Sequence, residues 1–289
     1  MRDEYADRFA DCVVNRSEKD LIMRLPLTLV TILIMPFVSG SIVYYLCENY
    51  ISEGYLQESS LEIALFVFLT VFCSLVSFTM CSMISRSRSH LDRDLEWMDS
   101  LIGYASNKGC NVDVLRQKRN NAKGIGLAIT QSVSYIFWGL TLLLLLMSLF
   151  LFTSESLSGF AWLGLLAVYA VVLIQFVFTL GPAIRFPGNN ESLQSDFTMV
   201  LRDQLASKGI HIEPMLRSVP NSHRILWLIA TVVTLGLFHI VLVFYSMSAL
   251  NRHMYNQWMY EENLLNTIVK AEGATGIECY ADKTKRKSK

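Results

Sequence analysis

Five stretches of this chain, residues 25–47, 61–84, 125–152, 161–184 and 225–250, are apolar almost throughout and share one formal charge, Glu62. A helix needs about 20 apolar residues to cross roughly 30 Å of hydrocarbon, and every stretch is that long. None alternates apolar with polar residues, which excludes the strands of a closed barrel. Only 17% of the residues are charged, against about 25% in soluble domains, and the charges crowd between the apolar runs. The expected fold class is all-α, a polytopic membrane helix bundle of five transmembrane helices. A soluble enzyme, a disordered chain and a small disulfide scaffold are excluded. The first run follows a polar segment with no small-residue cleavage site, so it reads as an uncleaved anchor.

Orientation follows from Lys and Arg in the flanks of the spans. Arg2, Arg8, Arg16, Lys19 and Arg24 precede the first run, and residues 85–124 and 185–224 are also rich in basic residues. The 48–60 and 153–160 loops hold only Glu48, Glu53, Glu58 and Glu155. The N-terminus is therefore expected in the cytoplasm of a cell (plasma) membrane protein. Five crossings would then place the C-terminus outside. The basic residues Lys283, Lys285, Arg286, Lys287 and Lys289 argue against that placement, but they stand far from the last run, where the rule weakens.

The runs at 61–84 and 125–152 recur at 161–184 and 225–250. Their connections agree: Ala105-Ser106-Asn107-Lys108-Gly109 reads against Ala206-Ser207-Lys208-Gly209. The expected organisation is a cytoplasmic N-terminal segment (1–24), a first span and outer loop (25–60), repeat 1 (61–152), repeat 2 (161–250), and an amphipathic helix with a basic disordered tail (251–289). Each repeat is a span, a cytoplasmic helix closed by a Lys-Gly turn, a short extended stretch and a second span. Both enter the membrane from outside, as parallel repeats do.

The cytoplasmic helices carry apolar seams: Leu91, Leu95, Met98 and Ile102 in the first, Leu193, Phe197, Leu201 and Leu205 in the second. These recur at helical spacing, with Asp92, Arg93, Asp94, Glu96 and Asp99 assigned to other faces. The seams suit packing of the two helices on each other, or a protein partner or second copy. Within the spans the polar candidates are His239, Gln131 and Gln175. Intramembrane ionisable groups point to function by default, whereas glutamines there mostly bond between helices. Gly181-Pro182 is expected to end or kink the fourth span.

No GxSxG, HExxH or paired-cysteine zinc spacing occurs, so no metal site, cofactor or catalytic group is expected. His253, Glu261, Glu262 and Cys279 are at most a remote metal set. On five spans Cys47 and Cys279 would share the outer side, where a disulfide is allowed. After the last run, Tyr255, Trp258 and Tyr260 suit a headgroup layer.

The stretch Thr234-Leu-Gly236-Leu-Phe238, followed by Tyr245, Asn251, His253, Trp258 and Glu261, resembles a pattern in prokaryotic multi-span membrane proteins grouped as a domain of unknown function. The resemblance covers the last span and the helix after it, and implies membrane location without an activity. The expected function is a non-catalytic membrane scaffold or subunit holding protein partners through its cytoplasmic helices. The alternative is a small-solute transporter or channel with a pathway between the repeats. Lipids are the other expected partners, and no nucleic acid is.

Overall fold

The computed structural model describes residues 3–20, 22–50, 60–123, 127–152, 158–219, 227, 229–230, 233–234 and 238–273. All regular structure among them is helical. In chain order the helices are α1 (Glu4–Val14), α2 (Arg16–Lys19), α3 (Leu25–Tyr50), α4 (Ser60–Asn107), α5 (Asp113–Lys123), α6 (Leu127–Phe152) and α7 (Ser158–Gln175). A π-helical turn (Phe176–Leu180) then leads into α8 (Gly181–Ala206), and α9 (Phe238–Ala271) closes the series. Among the described residues, four helical stretches are long and apolar enough to cross a membrane: Leu25–Asn49, Ser60–Asn107, Ile129–Leu151 and Gly159–Ala206. The chain is an all-α membrane protein.

Two of those stretches run for 48 residues each, about 72 Å at 1.5 Å per residue and over twice the hydrocarbon thickness. Their polar halves therefore continue into water as the same helix. The expected separate cytoplasmic helices are these continuations. Gly181-Pro182 does not break the helix. Pro182 has no N–H to donate, and the wider π turn just before it lets the helix resume as α8.

Both long helices stop in the same way. Gly109 and Gly209 have φ of 71° and 77°, a conformation that costs glycine nothing. Cys110 N–H donates to Ala105 O at 3.0 Å and Ile210 N–H to Leu205 O at 3.1 Å, closing each end as a Schellman motif. The connections then diverge. Residues after Gly109 form α5, where an extended stretch was expected, whereas residues 210–219 have no regular structure.

The helices enclose two apolar cores. The membrane core joins Ile32, Phe66, Met80, Ile84, Val168, Val172 and Met247. The second is a lobe built on the polar halves of the long helices, where Phe9 and Val13 of α1 meet Trp97, Met98, Leu101, Phe197, Leu201 and Ile268. Asp3 starts α1 by accepting from the N–H of Tyr5 at 2.9 Å, a side-chain cap of the usual kind.

Trp227 and Tyr245 do not belong to one straight helix. In a straight helix Trp227 and Tyr245 would lie about 27 Å apart, yet their rings meet edge to face with centroids 4.7 Å apart. Trp227, Leu242 and Val243 all pack on the membrane core. The end of α9 also meets the N-terminal segment: Arg16 pairs with Glu262 and its guanidinium lies over the Trp258 ring at 5.0 Å. Tyr104 donates to Glu272 at 2.8 Å. These contacts bring residues 258–272 against the N-terminal segment and the end of α4. Residues 274–289, with Cys279 and the basic cluster, lie outside the described residues, and so does the Cys47–Cys279 pairing.

Docking of α1 depends on Gly103, where a Cβ would overlap the Tyr5 ring. Gly103→Leu is expected to expel Tyr5 and free α1, so that limited proteolysis removes residues 1–20 rapidly while helix content by circular dichroism falls little. Gly103→Ala should do the same to a lesser degree.

Candidate polar centre at the membrane boundary

Three helices change character at one level. On α4 the membrane core ends at Ile84 and the lobe core begins at Trp97, on α8 the corresponding residues are Ile184 and Phe197, and on α9 they are Met247 and Leu264. Between those limits each helix buries polar residues four apart: His90 and Asp94, Asn190 and Gln194, and His253, Gln257 and Glu261. A spacing of four keeps them on one face, and the three faces converge. Arg93 and Glu191 join from the same helices, and Asp20 from the link before α3.

The contacts form one network. Arg93 grips Glu261 with both terminal nitrogens, at 2.8 and 3.0 Å, and lies 3.1 Å from Asp20 Oδ2. Asp94 accepts from the amides of Asn190 (2.6 Å), Gln194 (2.8 Å) and Gln257 (2.5 Å). His90 Nδ1 bonds Asp20 Oδ1 at 2.8 Å, and Trp258 Nε1–H donates to Asp20 Oδ2 at 2.8 Å. His253 Nδ1 faces Glu191 Oε1 at 3.4 Å. Glu191 accepts from Ser218 N–H (2.7 Å), the Ser218 hydroxyl (2.5 Å) and Val219 N–H (2.8 Å). At the middle, His90 Nε2 and His253 Nε2 stand 3.0 Å apart.

Electrostatics divides the members. Burial opposes charge on His90, but Asp94 and the bond to Asp20 outweigh it and raise its pKa above the ordinary histidine value. Burial pushes His253 down, and His90 adds to that. For Glu191 burial favours the neutral acid, but His253 and the bonds from Ser218 and Val219 prevail and lower it to about 2. Glu261 is pushed up by burial despite Arg93. Four carboxylates, Asp20, Asp94, Glu191 and Glu261, face one guanidinium at essentially zero exposure. Buried charge needs compensation; the upward shifts of His90 and Glu261 supply part of it, and a bound cation would supply more. The ligating atoms of His90, Asp94 and His253 all lie within 4.8 Å of one another. No metal site was expected from the sequence, and His253 was grouped there with Glu261, Glu262 and Cys279; the fold gives it His90 and Asp94 instead.

The sequence candidates fall elsewhere. Gln175 is buried at the edge of the π turn, accepting from the Ser77 hydroxyl at 2.6 Å and donating to Ser134 O at 3.3 Å. Gln131 accepts from Arg88 at 2.7 Å. The side chain of His239 lies outside the described residues. Leu91 packs with Phe186 and Met254 in a small cluster of its own. Met98, Ile102, Phe197, Leu201 and Leu205 are buried in the lobe core, with Leu95 and Leu193 packed at its edge. Both seams are thus used within the chain. Arg93 and Asp94, assigned to outer faces, are buried, because α1 and α9 widen the covered face of α4. The stripes at 90/94, 190/194 and 253/257/261 were the sequence signal for the centre.

Arg93→Met leaves Glu261 and Asp20 buried without their counter-charge, and the expected loss is about 3–5 kcal/mol of stability, read by denaturant titration in detergent. Arg93→Met with Glu261→Met should recover most of it. No family model matches this chain, and neither a curated protein nor a solved structure matches it at a significant level.

Proposed function

We propose that the chain is an integral membrane protein of the cell membrane whose working part is a cytoplasmic lobe, and that it binds a ligand at the polar centre where lobe and spans join. The observation that carries this reading is the convergence of two imidazoles, four carboxylates and one guanidinium at near-zero exposure. A buried ionic network is seldom the most stable filling of a core, and such groups cluster at functional sites. The role is non-catalytic binding on a membrane anchor, a narrower form of the scaffold expected from the sequence. The spans offer little support for transport. Gln175 is tied up in hydrogen bonds with its neighbours, and a cavity of ≈ 30 Å³ between Phe72, Cys73, Val172 and Ile240 is mostly apolar, too small and too greasy for a polar solute.

The same proposal includes the topology: four crossings and a hairpin through 227–245 that enters and leaves on the cytoplasmic side. The basic flanks support that side. The two 48-residue helices with matching glycine caps support a partial internal duplication, which ends where α5 forms in only one copy. The grouping with prokaryotic multi-span proteins of unknown function gains interest because His253, Trp258 and Glu261 of its pattern line the centre.

Two experiments test this reading. Single cysteines at positions 18 and 262, in a chain without its native cysteines, should react with an impermeant maleimide only after cells are opened; opposite sidedness would remove the hairpin. Asp94→Asn removes one excess carboxylate, and the amide oxygens of Asn190 and Gln194, buried without partners, can turn to receive the new N–H. In chelator-dialysed protein the thermal midpoint should stay the same or rise. A fall of several degrees would make the centre a structural weld.

A further inference from the structure

Resting on the binding-centre reading above, we infer that the occupant is a divalent transition-metal cation held by His90 Nε2, His253 Nε2 and Asp94 Oδ2. The orientation of the two imidazoles carries the inference. His90 presents Nδ1 to Asp20 Oδ1 at 2.8 Å, and His253 presents Nδ1 to Glu191 Oε1 at 3.4 Å. The bond to Asp20 at His90 Nδ1 favours the N–H there and leaves Nε2 as a lone pair, the arrangement that metal-ligating histidines use. The Glu191 carboxylate beside His253 Nδ1, too far for a hydrogen bond, favours the same tautomer by its charge. The two Nε2 atoms stand 3.0 Å apart. At that distance they need a positive centre between them, a shared proton or a metal cation, and a chelated cation would be held by both. Asp94 Oδ2 lies 3.4 Å from His90 Nε2. Ligands held about 2.0–2.1 Å from a zinc ion at the tetrahedral angle stand roughly 3.3 Å apart, so these two edges are already close to ligand spacing.

A fourth group is at hand. The Asn190 amide nitrogen lies 3.0 Å from His253 Nε2 and 2.6 Å from Asp94 Oδ2, and its carbonyl oxygen is buried without a hydrogen-bond partner. Turning the amide over points that oxygen at the same place and relieves the orphaned acceptor. Two imidazoles select a transition metal over calcium or magnesium, which prefer oxygen alone. The cation also offsets the excess of carboxylate over guanidinium.

The test uses the full chain, purified in detergent and stripped with a chelator, with Zn²⁺ as the probe. The expected result is one zinc per chain by elemental analysis, with a melting temperature that climbs with zinc concentration. His90→Gln and His253→Gln should abolish both effects, and His211→Gln, an exposed control, should change neither. Asp20→Asn and Glu191→Gln, acting through the ligands, should weaken binding roughly 10–100-fold. If the ligand variants fail to fold, Co²⁺ added to the native chain gives a second readout: strong visible bands for nitrogen ligation, the weak spectrum of the aqua ion if the inference is wrong. Less than stoichiometric zinc, or zinc retained by both histidine variants, overturns it. Zinc failing while Asp94→Asn keeps its stability removes the metal alone, and loss of stability in Asp94→Asn removes the binding centre itself.

Discussion

The rest of the structure depends on holding seven ionisable side chains out of water at one level between two apolar cores. An unpaired charge moved into an apolar core costs several kcal/mol even after relaxation. Sliding α4, α8 or α9 along its axis by one turn would carry Asp94, Glu191 or Glu261 against leucine and phenylalanine. The polar layer therefore fixes the axial register of all three helices at once. Apolar packing, which tolerates many near-equivalent arrangements, would not do so. The cost is that each member is secure only while its partners are present.

That register has mechanical consequences because the helices do not stop at the membrane. α4 runs unbroken from the membrane core to Gly109, and α8 follows its span with only a π turn between. A displacement at the centre would be transmitted as rigid rods in both directions, to the bundle around Gln175 and to the lobe around Trp97. The lobe is covered by pieces from both ends of the chain: α1 lies over Gly103, and the end of α9 delivers Leu264 and Ile268. Residues that begin and end the described chain are thus part of one core with its middle.

Much of the framework was legible in the sequence, and the reasons are physical. Length and charge depletion identify apolar spans because hydrocarbon tolerates little else, and the Lys-Gly pairs mark helix ends because a positive φ favours glycine. The seams at Leu91–Ile102 and Leu193–Leu205 were legible as helix faces. The residues that complete the site were not, since His90, Asn190 and His253 lie 63 or more positions apart. Asp94 reads as a surface charge in isolation; only the amides arriving from α8 and α9 make it a core residue. For residues 225–250, length and hydropathy are the same for a crossing helix and for a hairpin of two half-length limbs. The distinguishing fact is tertiary, the contact of Trp227 with Tyr245.

The centre also ties the segment before residue 220 to α9. Val219, where the chain heads back toward the membrane, is held by its N–H on Glu191, and so are both donors of Ser218. Glu191 at the same time faces His253, on the limb by which the hairpin returns. One carboxylate thus pins both ends of the excursion within a few ångströms of each other. A helix crossing fully would need those ends a membrane apart, and Glu191 could not then reach both. The same contact helps to set α9 at the position where its histidine meets His90.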